Sequence, residues 1–324
     1  MKVPATAPSG CWVPTYVQTA QTTLSNAVTI AVGANGKPCS EPDNPLAQTF
    51  LAGGNTGVLR LLRSSTLMNQ GVEAPVVSAN DLFHFQFIKT TGGAFSFSPM
   101  FGQPPEGSCT VYLSPGDALG HDGIPAAPSI ASRLSAGASF TLTGPGGVQN
   151  LTPLAGAPGV SLGSYAPFAP GLPNQLTLSP GSYTIAAPGG AEVGPFSAGV
   201  TLPQPFTWTN QNTLSTVDRT QNLVLSWSGA PSGQVVTILG FSMDRPSNSS
   251  GVFYCTAPKN ATSFTVPSEV LSALPATQSN ILRSKGVIYV MTMTEANGTA
   301  FKAPGLDAAI AIAGYMFGTT VIFQ

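Results

Sequence analysis

In DLFHFQFIK, residues 81–89, apolar and polar residues alternate one for one, and the same period of two returns from one end of the chain to the other, cut at short intervals by Gly, Pro, Asn and Ser. Half-buried strands require this pattern, because successive side chains of a strand point to opposite faces. Phe83, Phe85 and Phe87 fall on one face, while His84 and Gln86 fall on the other, where His84 reads as a solvent-face residue. SCTVYLS sets Cys109, Val111 and Leu113 on a core face, NLVLSWSG groups Leu223, Leu225 and Trp227, and GVFYCTAP pairs Phe253 with Cys255. Further strands are expected at CWVPTYVQTA, NAVTIAV, ASFTLTG, GSYTIAA, FSAGVTL, FTWTN, GQVVTILGF, TSFTV and GVIYVMTMT. GPGG (144–147) and APGG (187–190) are turn signals after two of them. With 36 Gly and 30 Pro spread over 324 residues, long helices have little room. PDNPLAQTFLAGG and PSEVLSALP could each hold about two turns, the second starting at Pro267 and Ser268. The expected fold class is all-β: antiparallel immunoglobulin-like β-sandwich domains with very little helix.

The length allows more than one domain. The LPQP segment reads as a boundary, dividing the chain into an N-terminal remnant (1–35), a first β-sandwich domain (36–202) with a Pro/Gly-rich loop at 154–175, and a second (203–324). The C-terminal LDAAIAIAGYMFGTTVIFQ carries no charge after Asp307. It is too short for a spanning helix of about 20 apolar residues, lacks a basic flank, and is interrupted by Gly314 and Gly318. Two buried strands joined near the glycines are expected there, with no membrane span.

Only 8% of residues are charged, against roughly 25% in an average soluble domain, so Ser, Thr, Asn and Gln must keep the surface wet. The net charge is −1 and the 12 basic residues are scattered, which leaves no track for a phosphate backbone and excludes nucleic acid as a partner. Cys11, Cys39, Cys109 and Cys255 show no C-x-x-C spacing, and with two histidines in the chain a cysteine-based zinc site is not expected. Their even number fits disulfides and an oxidising compartment. The N-terminal MKVPATAPSGCWVP has no apolar signal-peptide core, so the chain is either cytoplasmic or the downstream part of a longer exported protein. Strands beginning as early as CWVPTYVQTA, with nothing before them to complete a sandwich, favour the second, and with it an extracellular or cell-surface location.

Three motifs invite a catalytic reading. GVSLG (159–163) fits G-x-S-x-G, but the nucleophile elbow needs a strand before Ser161 and a helix after it, and prolines at 167, 170 and 173 forbid that helix. GDALGHDG (116–123) gathers Asp117, His121 and Asp122 without the D-x-D-x-D-G order of a calcium loop, so turn chemistry accounts for it. Glu73, Glu106, Glu192, Glu269 and Glu295 sit singly and read as solvated carboxylates, with no pair marked for glycosidase chemistry. Four N-x-S/T sequons begin at Asn150, Asn248, Asn260 and Asn297, a number that a Ser/Thr-rich chain reaches by chance. Neither a cofactor nor an enzymatic activity is expected.

The phrases APSGCWVPTYVQT, SNAVTIAVGANGKPCSEPDNPL, GSCTVYLSPGD, ASFTLTGPGG, LSPGSYTIAAPGGAEVGPFSA, FTWTNQ, STVDRTQNLVLSWSG, FYCTAP, SFTVPSEVLSALP and APGLDAAIAIAGY cover most of the chain in order. With them the sequence resembles a family of uncharacterised exported acidobacterial proteins that carry immunoglobulin-like (IPT/TIG-like) modules ahead of a shared C-terminal β region. The resemblance implies that residues 1–35 are the closing strands of a truncated immunoglobulin-like domain and that the protein is exported. It implies no catalytic residue. Cys11 and Cys39 lie close in sequence around the remnant strands and are the preferred pair, although four cysteines allow three connectivities. A Cys109 to Cys255 bond would cross the 202/203 boundary, so either the two segments share a sheet interface or the boundary is misplaced.

Two functions follow as expectations. The first is a non-catalytic extracellular or cell-surface scaffold, spacer or adhesin. The second is a carbohydrate-binding module in which FTWTNQN presents Trp208 as an exposed aromatic platform flanked by Asn210, Gln211 and Asn212. The corresponding partners are a cell-surface polysaccharide or another surface protein.

Overall fold

The computed structural model describes residues 7–19, 23–24, 28–33, 37, 39, 44–69, 75–91, 103–115, 130–151, 177–244, 246, 249–277 and 284–324. Along the chain run β1 (Gly10–Thr15), β2 (Gln18–Thr19), β3 (Thr23–Leu24), β4 (Val28–Val32), helix α1 (Ala47–Ala52), β5 (Gly54–Met68), β6 (Val76–Thr90), β7 (Ser108–Pro115), β8 (Ile130–Arg133), β9 (Phe140–Gly144), β10 (Gly147–Leu151), β11 (Gly181–Ala187) and β12 (Phe196–Leu202). Then follow β13 (Thr207–Trp208), β14 (Thr216–Val217), β15 (Leu223–Ser228), β16 (Thr237–Asp244), β17 (Ser249–Thr256), β18 (Ser263–Val266), helix α2 (Ser268–Ala273), β19 (Ser284–Met291), β20 (Thr299–Ala300), β21 (Ala308–Thr320) and β22 (Ile322–Phe323). The fold is all-β, and both short helices lie in the segments whose sequence allowed them.

A large sheet with the order β7-β17-β16-β19-β21-β5-β6-β8, to which β20 adds at β21, forms one layer. One of its faces carries Leu59, Leu61, Phe83, Phe85, Phe87, Val111, Phe253, Ile288 and Val290 into the main core. The opposing layer consists of a four-stranded sheet, β10-β9-β11-β12, and a three-stranded sheet, β13-β15-β18. From these come Phe140, Leu142, Ile185, Ala198 and Val200, and Trp208, Leu225, Trp227 and Val266. Each fully buried Phe or Leu stabilises the fold by about 1.5–3 kcal/mol, and a slip of one residue in β6 would turn Phe83, Phe85 and Phe87 out of the core together. Burial of that face therefore fixes the register of β6 on β5 over all 15 residues of each strand.

The second face of the large sheet is covered as well. Val58, Ile88, Ile310 and Ile312 pack with Leu46 and Phe50 at α1, and Leu239, Phe241, Met243, Val252, Tyr254 and Met291 form a further cluster. Cys11 and Trp12 of β1 meet Ala47 of α1 and reach Cys39 and Tyr112, so β1 lies against the same layer. The disulfides are Cys11–Cys39 and Cys109–Cys255.

Four expectations change. The boundary at 202/203 does not separate sheets, since β5 to β8 precede it and β16, β17, β19 and β21 follow it in one sheet. The pairing is not purely antiparallel: β21 runs parallel to β5, and β14 parallel to β22. Gly314 and Gly318 lie inside the continuous strand β21 rather than at a joint, and each gives room to a neighbour, Thr292 and the Tyr289 ring respectively. His84 is half-buried beside Arg60 on the second face rather than solvent-facing, because that face is covered too. The loop at 154–175, GVSLG with Ser161, and GDALGHDG with Asp117, His121 and Asp122 lie outside the described residues.

Candidate functional site

β7 begins one edge of the large sheet and β18 ends the three-stranded sheet, and a cleft of about 610 Å³ opens between them. Gly107, Ser108 and Cys109 line one side of it and Ser263, Phe264 and Thr265 the other. β7 is anchored by the Cys109–Cys255 bond to its register partner on β17. The two Cα atoms are 4.0 Å apart, the short spacing of a pair that does not exchange backbone hydrogen bonds, so the Cys109 N–H and C=O turn outward. The Tyr16 hydroxyl donates to that carbonyl. Burial pushes the Tyr16 phenol up to about 12, against the opposing pull of hydrogen bonds with the Thr110 side chain and the Val111 backbone, so it stays neutral at the cleft wall. Pro258, Ala261, Pro267 and Val270 complete a mostly apolar lining, with the exposed Glu269 carboxylate, from the first turn of α2, at its rim.

The residues read from sequence as a sugar platform do not form one. Trp208 is 5% exposed and pairs across strands with Trp227, inside the core. Its Nε1 donates to Asn210 Oδ1 at 2.9 Å, and Trp227 Nε1 donates to the Ala261 carbonyl at 2.8 Å. Asn210 is used up in the fold: Oδ1 also accepts from the Ser226 N–H, and Nδ2 donates to the Val224 carbonyl. Gln211 Nε2 donates to the Gly318 carbonyl at 2.7 Å, tying this turn to β21. Asn212 is exposed, while Trp208, Asn210 and Gln211 are corrected from ligand contacts to structural positions, which leaves Asn212 without the Trp208 platform it was read to flank. The alternation that put Phe206 and Trp208 on one face was right; that face points inward because aromatic side chains dominate β cores.

Among the singly placed carboxylates, Glu192 accepts from the Ser135 N–H and Glu106 from the Lys259 N–H, both latching loops. Glu73 and the Glu295 side chain lie outside the described residues, as does Asn248 of the sequons. Asn297 Oδ1 accepts from the Val235 N–H and its Nδ2 donates to the carbonyls of Val235 and Thr292, which commits that side chain to the fold. Among the described residues no group of three His, Cys, Asp or Glu side chains is placed to hold a metal ion.

Sequence reading did not single out Arg63 and Asp81. Directly opposite each other on β5 and β6, they form a two-bond ion pair, Nε to Oδ1 at 2.8 Å and Nη2 to Oδ2 at 3.0 Å. Asp81 Oδ2 also accepts from the Thr177 and Leu178 N–H groups, so the carboxylate holds the chain leading to β11 against the large sheet. The hydrogen bond with Asp81 raises the Arg63 pKa above its ordinary value and keeps the guanidinium charged.

No protein-family model matches the chain, and no curated protein matches it.

Proposed function

We propose that the protein is a non-catalytic extracellular or cell-surface β-sandwich protein that serves as scaffold, spacer or adhesin. The observation that carries this reading is the pair of disulfides, which engage all four cysteines and support an oxidising compartment, where such bonds persist. Each bond performs mechanical work in the fold, one closing the N-terminal strands onto α1 and one locking the edge of the large sheet. A surface kept wet by neutral hydroxyl and amide groups, with 8% charged residues, agrees with that setting. Among the described residues no helix is long and apolar enough to cross a membrane.

The test is thiol mapping by mass spectrometry on protein from the producing cells, combined with biotinylation or protease treatment of intact cells. Surface-accessible protein with both bonds closed is the expected result. Free thiols in a protease-protected protein, or turnover of an ester, peptide or glycan substrate, would overturn the reading.

A further inference from the structure

The hydrogen-bond phase of the three-stranded sheet shows which way β18 presents its backbone. Trp227 N–H donates to the Thr262 carbonyl at 2.8 Å, so the bonded register pairs alternate from there: Leu225 with Phe264 and Leu223 with Val266. The other side of β15 agrees, since the Ser226 N–H and Val224 carbonyl both meet the Asn210 side chain, away from β18. The N–H and C=O groups of Ser263 and Thr265 therefore point out of the sheet toward the cleft. Both residues are exposed, and no described residue meets these four groups. Native edge strands usually block such an edge with Lys, Pro or a bulge. Ser263–Val266 carries none of these, whereas on β7 the outward Cys109 carbonyl is closed by the Tyr16 hydroxyl.

We propose that the outer edge of β18 binds an extended peptide segment of a partner protein, adding it as a fourth strand, with an apolar side chain in the cleft and a basic one opposite Glu269. Strand addition gains affinity from main-chain hydrogen bonds and specificity from pockets for alternate side chains. Every second residue of the incoming segment turns toward the apolar space beside Tyr16, Pro258, Phe264 and Val270. Among the described residues Glu269 carries the one charge of that lining and none of them pairs with its carboxylate, which selects Lys or Arg at the Val266 end. A second copy of β18 does not fit this role, because its Val266 is buried in its own core and its Phe264 packs against that core. The inference deepens the adhesin reading by naming the chemistry of its partner, but it is tested on purified chain and stands or falls apart from cellular location.

The experiment is selection of short random displayed peptides on the disulfide-intact protein, followed by fluorescence anisotropy with the enriched peptides. Enrichment of alternating apolar and polar residues with a Lys or Arg is expected. Thr265→Pro removes one outward N–H without touching the β15 ladder and should weaken binding about tenfold. Glu269→Gln should erase the preference for the basic residue over a glutamate at that place while leaving the melting temperature unchanged. The proposal is overturned if no peptide is enriched, if Thr265→Pro with wild-type stability binds as before, if the preference survives Glu269→Gln, or if sedimentation shows a dimer that Thr265→Pro dissolves.

Discussion

Asp81, 2% exposed, accepts two hydrogen bonds from Arg63 and two from the amides of Thr177 and Leu178, so four donors depend on one carboxylate. Removing one member of a buried pair leaves the other charge uncompensated, which typically costs about 3–5 kcal/mol. Asp81→Ala is expected to destabilise by that order in urea unfolding, and a cycle with Arg63→Met should show strong coupling; additive effects would mean that the pair is incidental. His84 tests the second face in a different way. Burial first, and the nearby Arg60 charge second, push its pKa down to about 3, from an ordinary value near 6.5. The folded state thus holds His84 neutral where the unfolded chain would take up a proton, so its contribution is complete above about pH 6.5 and is lost as pH falls toward about 3. His84→Gln should flatten the acid limb of stability against pH by about one proton. An unchanged limb would show that the imidazole protonates in the fold.

Within the strands, glycines opposite aromatic rings set how closely side chains pack. Gly240 of β16 faces Phe253 of β17, and a Cβ at that glycine would lie 2.0 Å from the ring. Phe253 is fully buried and cannot swing away, so Gly240→Ala is expected to cost about 1–3 kcal/mol through overpacking, with partial recovery on adding Phe253→Leu. Melting temperatures of the two variants would check this, and a neutral Gly240→Ala would show that the sheet can spread. The same elements explain what could be read in advance. β12, FSAGVTL, alternates buried and exposed without a fault because it is wet on one face, and sequence period alone finds it. β5 escaped notice because Val58 to Leu62 are all buried, Leu59 and Leu61 in the main core and Val58 on the second face, and a strand covered on both sides loses its period of two. β21 misled for the same reason: its buried run and internal glycines look like two strands and form one. The cleft was the least legible feature, since TSFTV can be recognised as a strand but its place at a sheet edge depends on pairings with β15, some 40 residues earlier in the chain.

At the scale of the molecule, the boundary suggested by LPQP competes with a sheet that ignores it. β21 pairs with β5 along twelve register positions and β17 with β7 along eight, so strands before and after position 202 share one hydrogen-bonded layer and one core. A cut between residues 202 and 203 would leave Leu59, Phe83 and Phe87 on one fragment and Phe253, Ile288 and Val290 on the other, splitting one core face and opening the edges of the sheet where β5 meets β21 and β7 meets β17. Unfolding is therefore expected as a single cooperative transition, with calorimetric and van't Hoff enthalpies in agreement. The Cys109–Cys255 bond spans 146 residues of sequence, and the chain-entropy argument places its contribution near the top of the usual range of about 2–5 kcal/mol. Paired Cys109→Ala and Cys255→Ala substitutions should lower the transition temperature but keep the transition single, because sheet and core still couple the two parts. Two resolved transitions, or a folded fragment released by cleavage after residue 202, would show instead that the shared sheet is a contact between independent units and that the disulfide supplies most of their union.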